Sequence, residues 1–479
     1  MSQLLTKFVE RGYLVSPDLL DSFTGNVEDF LSFVSQNFPN EHVISKKFFE
    51  TFQQLKHTIP KLSVTKSFSL TNDPKDLNHW IGYFNKRYEI LRRVLQSRPE
   101  LDNIVSISRI NNLVGQESFS IIGMISDLHE TSKGNVMMSV EDPTGSTKVL
   151  LNKTSPDYSL FSSLVNDEVI GLNLNKSGNW LFVKKIVFPD IPLITPKSGP
   201  EDACAAFISD THIGSNTFLN DDFQSFIDWI KGDKGSSKEQ ELAAKTKYLF
   251  YVGDVVDGVG VYPGQEAQLD IKDIYKQYER AYDFLKQIPS DIKVIICPGN
   301  HDALRLSEPQ PPLFSDFTSK LNKLPNILMV SNPSYVNVGA TNGFQGFDVL
   351  LYHGYSFDYF INNNALLRPT GYSRPDLVME FLMKKRHLAP THGATLIAPT
   401  KSEDFLIIDK VPDLFATGHI HQSSISHYKN MVLLNCSCFQ GQSDFMKRVG
   451  TTPNPGKVPV FNFKNRSISV LNFSSGDYK

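Results

Sequence analysis

Residues 204–214 read CAAFISDTHIG, a short apolar run that ends in a polar cluster. The pattern recurs downstream as KYLFYVGDVVDG (247–258), KVIICPGNHD (293–302), FDVLLYHGYSFD (347–358) and LFATGHIHQ (414–422). Each run is rich in Val, Ile, Leu, Phe and Tyr and is bounded by Gly or Pro, which reads as a buried strand. Each polar cluster begins where its strand stops. Open α/β sheets place their sites at the carboxyl ends of strands. The five ends are therefore expected to deliver Asp210, His212, Asp254, Asn300, His301, His353, His419 and His421 to one place. Asp210 and His212 are two apart, so an extended backbone would point them the same way. The same holds for His419 and His421.

These side chains are carboxylates, imidazoles and one amide, without a thiolate. Nitrogen and oxygen donors suit manganese, iron, zinc or magnesium rather than a structural Cys-type zinc site. They are too many for one ion and enough for two. A carboxylate such as Asp254 can bridge two cations and lower their repulsion. Two metals about 3.5–4 Å apart form the clamp used for in-line displacement at phosphorus. A lone D-x-H is weak, since it is usually a turn. GNHD is stronger, GHIH is intermediate, and all five stretches in this order leave little room for coincidence.

At 479 residues the chain is too long for one core, so two or three domains are expected. Its composition is globular, and no apolar run is long enough to span a membrane. The opening MSQLLTKFVERGY carries charge too early for a secretory signal. Cys204, Cys297, Cys436 and Cys438 read as buried thiols rather than a metal or redox CxC, which fits a reducing, cytoplasmic setting. Formal net charge is −3, with local basic clusters at Lys384, Lys385 and Arg386 and at Lys447 and Arg448. Such clusters are mostly solvated faces. Phosphate affinity needs cation density, so either the substrate is small or a partner supplies most of the grip.

Residues 1–56 read as a helical N-terminal module, with Ser16 and Pro17 as an N-cap and N1 pair. Val43, Phe48, Phe49 and Phe52 give a helical stripe between Asn40 and Lys56. Residues 57–101 read as a linker with Pro60 and Pro74, followed by an aromatic helix whose opposite face carries Lys86, Arg87, Arg92 and Arg93. Packing on the next domain is favoured for that helix over contact with nucleic acid. Residues 102–188 are β in character around an Asp142-Pro143-Thr144-Gly145 turn, with Val136, Met138 and Val140 on one face. They suggest a small barrel of the oligonucleotide-binding type. No row of exposed aromatics stands out there, so a docking role is favoured. Residues 189–200 are a Pro-rich linker, and 201–479 carry the metal-binding stretches. Within them, 273–286 and 375–387 read as helices and 231–241 as a mobile surface loop.

The ordered set D-x-H, G-D, G-N-H-D, H and G-H-x-H resembles the calcineurin-like metallophosphoesterase superfamily. That resemblance implies a β-sheet core flanked by helices. It implies one metal on Asp210, His212, Asp254 and His421, and a second on Asp254, Asn300, His353 and His419. His301 would contact the scissile phosphate instead, as a general acid or as a cation stabilising the transition state. Along its whole length the chain resembles the small subunits of archaeal D-family DNA polymerases. GDVVDGVGVYPGQ (253–265), PGNHDALR (298–305) and PNPGKVPVFNF (453–463) carry that likeness. It implies a 3′→5′ exonuclease with two divalent cations, manganese favoured and magnesium, iron or zinc open. It also implies a large polymerising partner subunit in a heterodimer, and DNA with single-stranded or frayed 3′ ends as substrate. Related eukaryotic subunits have lost metal ligands and act as scaffolds, so a non-enzymatic assembly subunit is the alternative. A stand-alone phosphodiesterase is a weaker one. Every expected ligand position is filled here. One departure is Asp257, where a related repair nuclease has a second histidine. A carboxylate there donates a proton poorly at neutral pH.

Overall fold

A computed structural model describes the chain except for residues 1, 39–40, 59–60, 71–75, 114–117 and 477–479. The fold is mixed α/β with several sheets and a closed five-stranded barrel. It divides into two compact units, residues 1–63 with 338–346, and residues 64–337 with 347–479.

The first unit contains helices Ser2–Glu10, Pro17–Ser22, Val27–Asn37 and Lys46–Thr58. Phe8, Phe30 and Phe49 are buried at its centre. The Phe8 and Phe23 rings meet edge-on at 5.6 Å, as do those of Phe30 and Phe49 at 5.4 Å. Pro17 starts its helix as expected, but the Ser16 side chain makes no capping bond. Val43 does not join the helical stripe. It lies in a short strand, Val43–Ile44, paired in parallel with Leu14–Val15, and is exposed. The segment expected as a linker contains a strand, Lys61–Ser67, while Pro60 and Pro74 lie outside the described residues. Just beyond this strand, within the second unit, Ser331 Oγ accepts the Phe68 N–H at 2.8 Å.

In the second unit, helix Leu77–Gln96 begins at a capping box in which Asp76 accepts the His79 N–H. Leu91 and Leu95 pack on Ile122, Met124 and Val169 of the barrel, the packing role favoured from sequence. Arg87 departs from the expected basic face. It is fully buried, its Nε donating to Asp404 Oδ2 at 3.0 Å and its Nη1 to the Pro390 carbonyl at 2.6 Å. Lys385 and Arg386 likewise leave the supposed surface cluster. Lys385 pairs with buried Glu168 at 2.7 Å, and Arg386 donates to the Ile408 and Asp409 carbonyls. A buried charge is costly unless it is paired or hydrogen-bonded; Arg87 and Lys385 meet carboxylates, and Arg386 meets backbone carbonyls.

The barrel runs Ser118–Glu130, Val136–Asp142, Gly145–Leu151, Trp180–Val187, Val169–Ser177 and back to the first strand. Val136, Met138 and Val140 point inward and are fully buried, as period-two patterning requires. Asp142 Oδ1 accepts the Thr144 N–H at 2.7 Å, which closes the turn.

Two six-stranded sheets make the rest, where the resemblance implied a β-sheet core flanked by helices. In the first, Cys204–Ile208, Thr246–Val252, Lys293–Cys297 and Ile327–Met329 are parallel, and the hairpin of Lys457–Asn462 and Ile468–Asn472 joins antiparallel at the Cys204 strand. In the second, Phe347–Leu351, Leu414–Thr417 and Met431–Asn435 are parallel and Ser424–Tyr428 is antiparallel. Cys204, Ala206 and Ile208 face helices Asn220–Ile230 and Ile274–Leu285. Leu350, Phe415 and Leu433 face helices Phe357–Asn363 and Pro375–Lys385. The opposite faces meet, with Phe347 against Phe463 at 4.9 Å and Phe461 at 6.1 Å. Strands buried on both faces explain runs that are apolar throughout rather than alternating. The expected mobile loop at 231–241 instead leads into a helix, Ser237–Lys245, opened by a capping box between Ser236 and Glu239. All four cysteines are buried and free. Among the described residues, no helix is long and apolar enough to cross a membrane.

Candidate metal centre

The five strand ends converge, three from one sheet and two from the other. The backbone they use is not extended. Asp210, His212, Asp254, His419 and His421 have φ of +52°, +49°, +50°, +69° and +57°. Side-chain convergence therefore comes from left-handed turns and not from strand alternation. Non-glycine residues in this region cost on the order of 1–3 kcal/mol each and cluster at functional sites. Hydrogen bonds hold them there: Asp210 N–H donates to the Gly253 carbonyl at 3.0 Å, His212 N–H to the Asp254 carbonyl at 3.2 Å, and His419 N–H to Asp210 Oδ2 at 2.9 Å. The motif glycines have a steric reason. A Cβ on Gly299 would overlap Asp254 Oδ1, and one on Gly418 would overlap Ser209 Oγ and crowd Asp210 Oδ2.

Asp210 Oδ1 lies 3.3 Å from His421 Nε2, 3.8 Å from His212 Nε2 and 3.9 Å from His353 Nε2. Asp254 Oδ2 lies 3.2 Å from His353 Nε2 and 3.6 Å from His212 Nε2. Asn300 Oδ1 is 3.1 Å from His353 Nε2. Three overlapping groups could each hold a cation: Asp210, His212 and His421; Asp210, Asp254 and His353; and His212, Asp257 and His301, in which Asp257 Oδ1 already accepts from His212 Nδ1–H. Asp210 joins the first two, next to Asp254. His419 is outside these groups, its Nε2 being 2.9 Å from Asp358 Oδ2, which leaves Nδ1 as its donor atom. The residues fit divalent cations on one further observation: Asp210 Oδ1 is buried without a hydrogen-bond partner. A buried carboxylate oxygen left bare is costly, and a cation removes that cost.

Outer contacts fix the rings. His353 Nδ1–H donates to the Val252 carbonyl at 2.8 Å, which turns Nε2 toward Asp254. His212 Nδ1–H donates to Asp257 Oδ1 at 2.9 Å, which leaves Nε2 for the metal side. His301 Nδ1–H donates to the Asp257 carbonyl at 2.9 Å, and its backbone N–H donates to Asp254 Oδ1 at 2.8 Å. Asp257 is thus an orienting group, a role that its departure from the related nuclease's histidine did not reveal. Asp358, the last residue of the fourth stretch, was not singled out from sequence. It holds His419 and accepts from the Tyr372 hydroxyl at 2.9 Å. Asp302 of GNHD closes its own loop by accepting the Gly299 N–H at 2.9 Å.

The electrostatics follow. Burial disfavours charge on His353, but Asp254 and Asp210 outweigh it and push its pKa up to about 10. Burial also opposes ionisation of Asp210, yet His353 and His421 hold it well below the usual carboxylate range. Burial lowers His301 below the ordinary imidazole value, against the pull of Asp254. Burial together with the Asp254 carboxylate pushes Asp302 up to about 7.

The centre opens into a cavity of about 340 Å³ lined by His212, Asp254, His301, Tyr262, Tyr355 and His419 among others. Asp257→Asn should weaken divalent-cation binding at these groups about 10–100-fold, the usual cost of removing a partner that orients a ligand. Titration calorimetry of the purified chain checks this, and unchanged affinity would show that His212 needs no such partner.

The family of B-subunits of DNA polymerases alpha and epsilon matches residues 205–426. The DNA polymerase II small subunit of Methanothermobacter thermautotrophicus is 40% identical over 415 residues, covering 86% of this chain and 82% of that one. The protein of the same description from Archaeoglobus fulgidus is 35% identical over 459 residues, covering 95% and 88%. That from Pyrococcus abyssi is 37% identical over 400 residues, covering 82% and 63%.

Proposed function

Because this chain belongs to the family of archaeal DNA polymerase II small subunits, we propose that it is the 3′→5′ exonuclease and assembly subunit of such a polymerase. Residues 201–479 are read as a calcineurin-like phosphoesterase domain, with the oligonucleotide-binding-type barrel and the N-terminal helices as docking blocks for a large polymerising subunit. The observation that carries the nuclease reading is the buried cluster of Asp210, His212, Asp254, His353 and His421 around a bare carboxylate oxygen, with Asn300 and His419 beside it. A scaffold with a vestigial site has no need to keep seven donors and five left-handed backbone positions.

Two divalent cations, when bound, supply Lewis-acid charge for displacement at phosphorus. Asp254 and Asp210, ionised at neutral pH, would hold them together with the imidazoles. His301 lines the cavity with its Nδ1–H committed to the Asp257 carbonyl, so Nε2 is the atom that exchanges a proton with the substrate. Asp257 keeps His212 in the tautomer that presents Nε2. The acidic balance of the chain, net −3, leaves little intrinsic grip on a phosphate backbone. The large subunit would supply it.

The test is digestion of end-labelled DNA by the purified chain, alone and with its large subunit. Manganese should support hydrolysis better than magnesium, because four of the seven donors are imidazoles. The complex should act faster than the chain alone, and on mispaired 3′ ends before paired ones, since unpairing costs less there. Full metal occupancy without hydrolysis in either form would favour the scaffold reading. Full activity of the chain alone at physiological salt, with no polymerase subunit bound, would favour a stand-alone phosphodiesterase.

A further inference from the structure

The loop after Asp257, GVGVYPGQEAQ (258–268), projects a tyrosine into the cavity of the metal centre. Gln265 is buried and ties the loop down. Its Nε2 donates to the Asp257 carbonyl and to Asp257 Oδ2, both at 2.8 Å, and its Oε1 accepts the Val261 N–H at 2.9 Å. Its own N–H donates to the Tyr262 carbonyl at 3.2 Å. Asp257 in turn holds His212. A continuous run of hydrogen bonds therefore fixes Tyr262 relative to the ligand set. The Tyr262 ring is only partly buried, and its centroid lies 6.3 Å from that of His301. Its hydroxyl donates to Gln268 Oε1 at 3.3 Å, which anchors the ring edge on its own loop.

The surroundings decide what such a ring can do. Asp254, Asp257 and Asp358 line the same cavity, and none of its lining residues is Lys or Arg. The cationic grip on a phosphate backbone within the cavity is therefore small, limited to imidazoles such as His301 and to Arg448 near Tyr262. Holding a strand by its bases adds to that small grip, and stacking on a neutral ring needs no cation and accepts any base. A cavity of about 340 Å³ is at the small end for ligand sites, with room for a nucleotide and not for a duplex. Resting on the nuclease reading above, we infer that Tyr262 is the platform on which a nucleobase adjoining the scissile phosphodiester stacks. The centre then receives a base only after it has left the duplex, which makes Tyr262 a determinant of selectivity for unpaired ends.

The test uses the full chain with manganese and a single-stranded oligonucleotide carrying 2-aminopurine at the last or the penultimate position. A phosphorothioate at the last linkage slows its hydrolysis. Stacking quenches 2-aminopurine, so the parent chain should quench one of the two probes. Tyr262→Leu should lose that quenching and raise KM on single strands about 5- to 150-fold, the range expected for one lost base–aromatic stack. It should narrow the preference for mispaired over paired ends while kcat changes little. Tyr262→Phe should keep all of these, and Tyr262→Trp should deepen the quenching. Melting temperature and manganese content separate a lost stack from a lost fold. Equal quenching by the parent, Tyr262→Leu and Tyr262→Trp chains at both probe positions would overturn the inference. The quenching readout stands apart from catalysis: a parent chain that quenches but never hydrolyses would remove the nuclease reading and leave the stacking site in place.

Discussion

Asp254→Asn should abolish hydrolysis of DNA by this chain while leaving it folded. Asp254 sits at φ +50°, is buried, and faces His353 at 3.2 Å and His212 at 3.6 Å. Asparagine tolerates left-handed backbone better than most residues, and its side-chain oxygen can still accept the His301 N–H that Asp254 Oδ1 accepts at 2.8 Å. The substitution therefore removes charge and little else. Alanine at the same position would lose that bond and strain the backbone, so a loss of activity there would mix two causes. Without the carboxylate the group of Asp210, Asp254 and His353 keeps Asp210 as its one anionic donor. Metal Lewis acidity contributes several kcal/mol at phosphorus, and about 1.36 kcal/mol is tenfold in rate. A drop of about a thousandfold or more is expected, together with loss of bound manganese measured by elemental analysis. Retained hydrolysis with unchanged metal content would end the two-metal reading.

His301→Ala should separate chemistry from metal binding. The ring reaches no Asp210 or Asp254 oxygen within ion-pair distance, and its anchoring bond goes to the Asp257 carbonyl. The backbone N–H that touches Asp254 survives the substitution. Metal content should stay near normal while kcat falls about 10²–10⁴-fold, the usual contribution of a positioned acid–base group. Collapse of metal content along with the rate would make His301 a ligand and its assigned role wrong. The edge-on contact of its ring with His212, with centroids 4.6 Å apart at 82°, could blur this result. His301→Gln, which keeps part of that volume, controls for it.

The secondary elements around the centre were legible for a physical reason. Strands such as Cys204–Ile208 are buried on both faces, so their sequences are apolar without interruption, and the break into Gly, Asp and His marks the end. The helix at Ser237–Lys245 also carried a signal, since Ser236 and Glu239 have capping-box spacing, but the Gly, Lys and Ser content before it reads as loop. The strand Lys61–Ser67 had no comparable signal. Its alternation is weak, and pairing within a sheet decides it.

By itself, then, the sequence determined that apolar strands end in metal-type donors, and which donors these are, because both properties are local to a few residues. Only the tertiary structure decided that the donors come from two sheets and converge through left-handed backbone. It alone decided that Asp257 and Asp358 orient His212 and His419. It alone buried Arg87 against Asp404, and Lys385 against Glu168, in place of leaving them on basic faces. The reason is the same in each case. Whether a charged side chain is solvated, paired or turned toward a metal depends on groups tens to hundreds of residues away, and no window of sequence contains both partners.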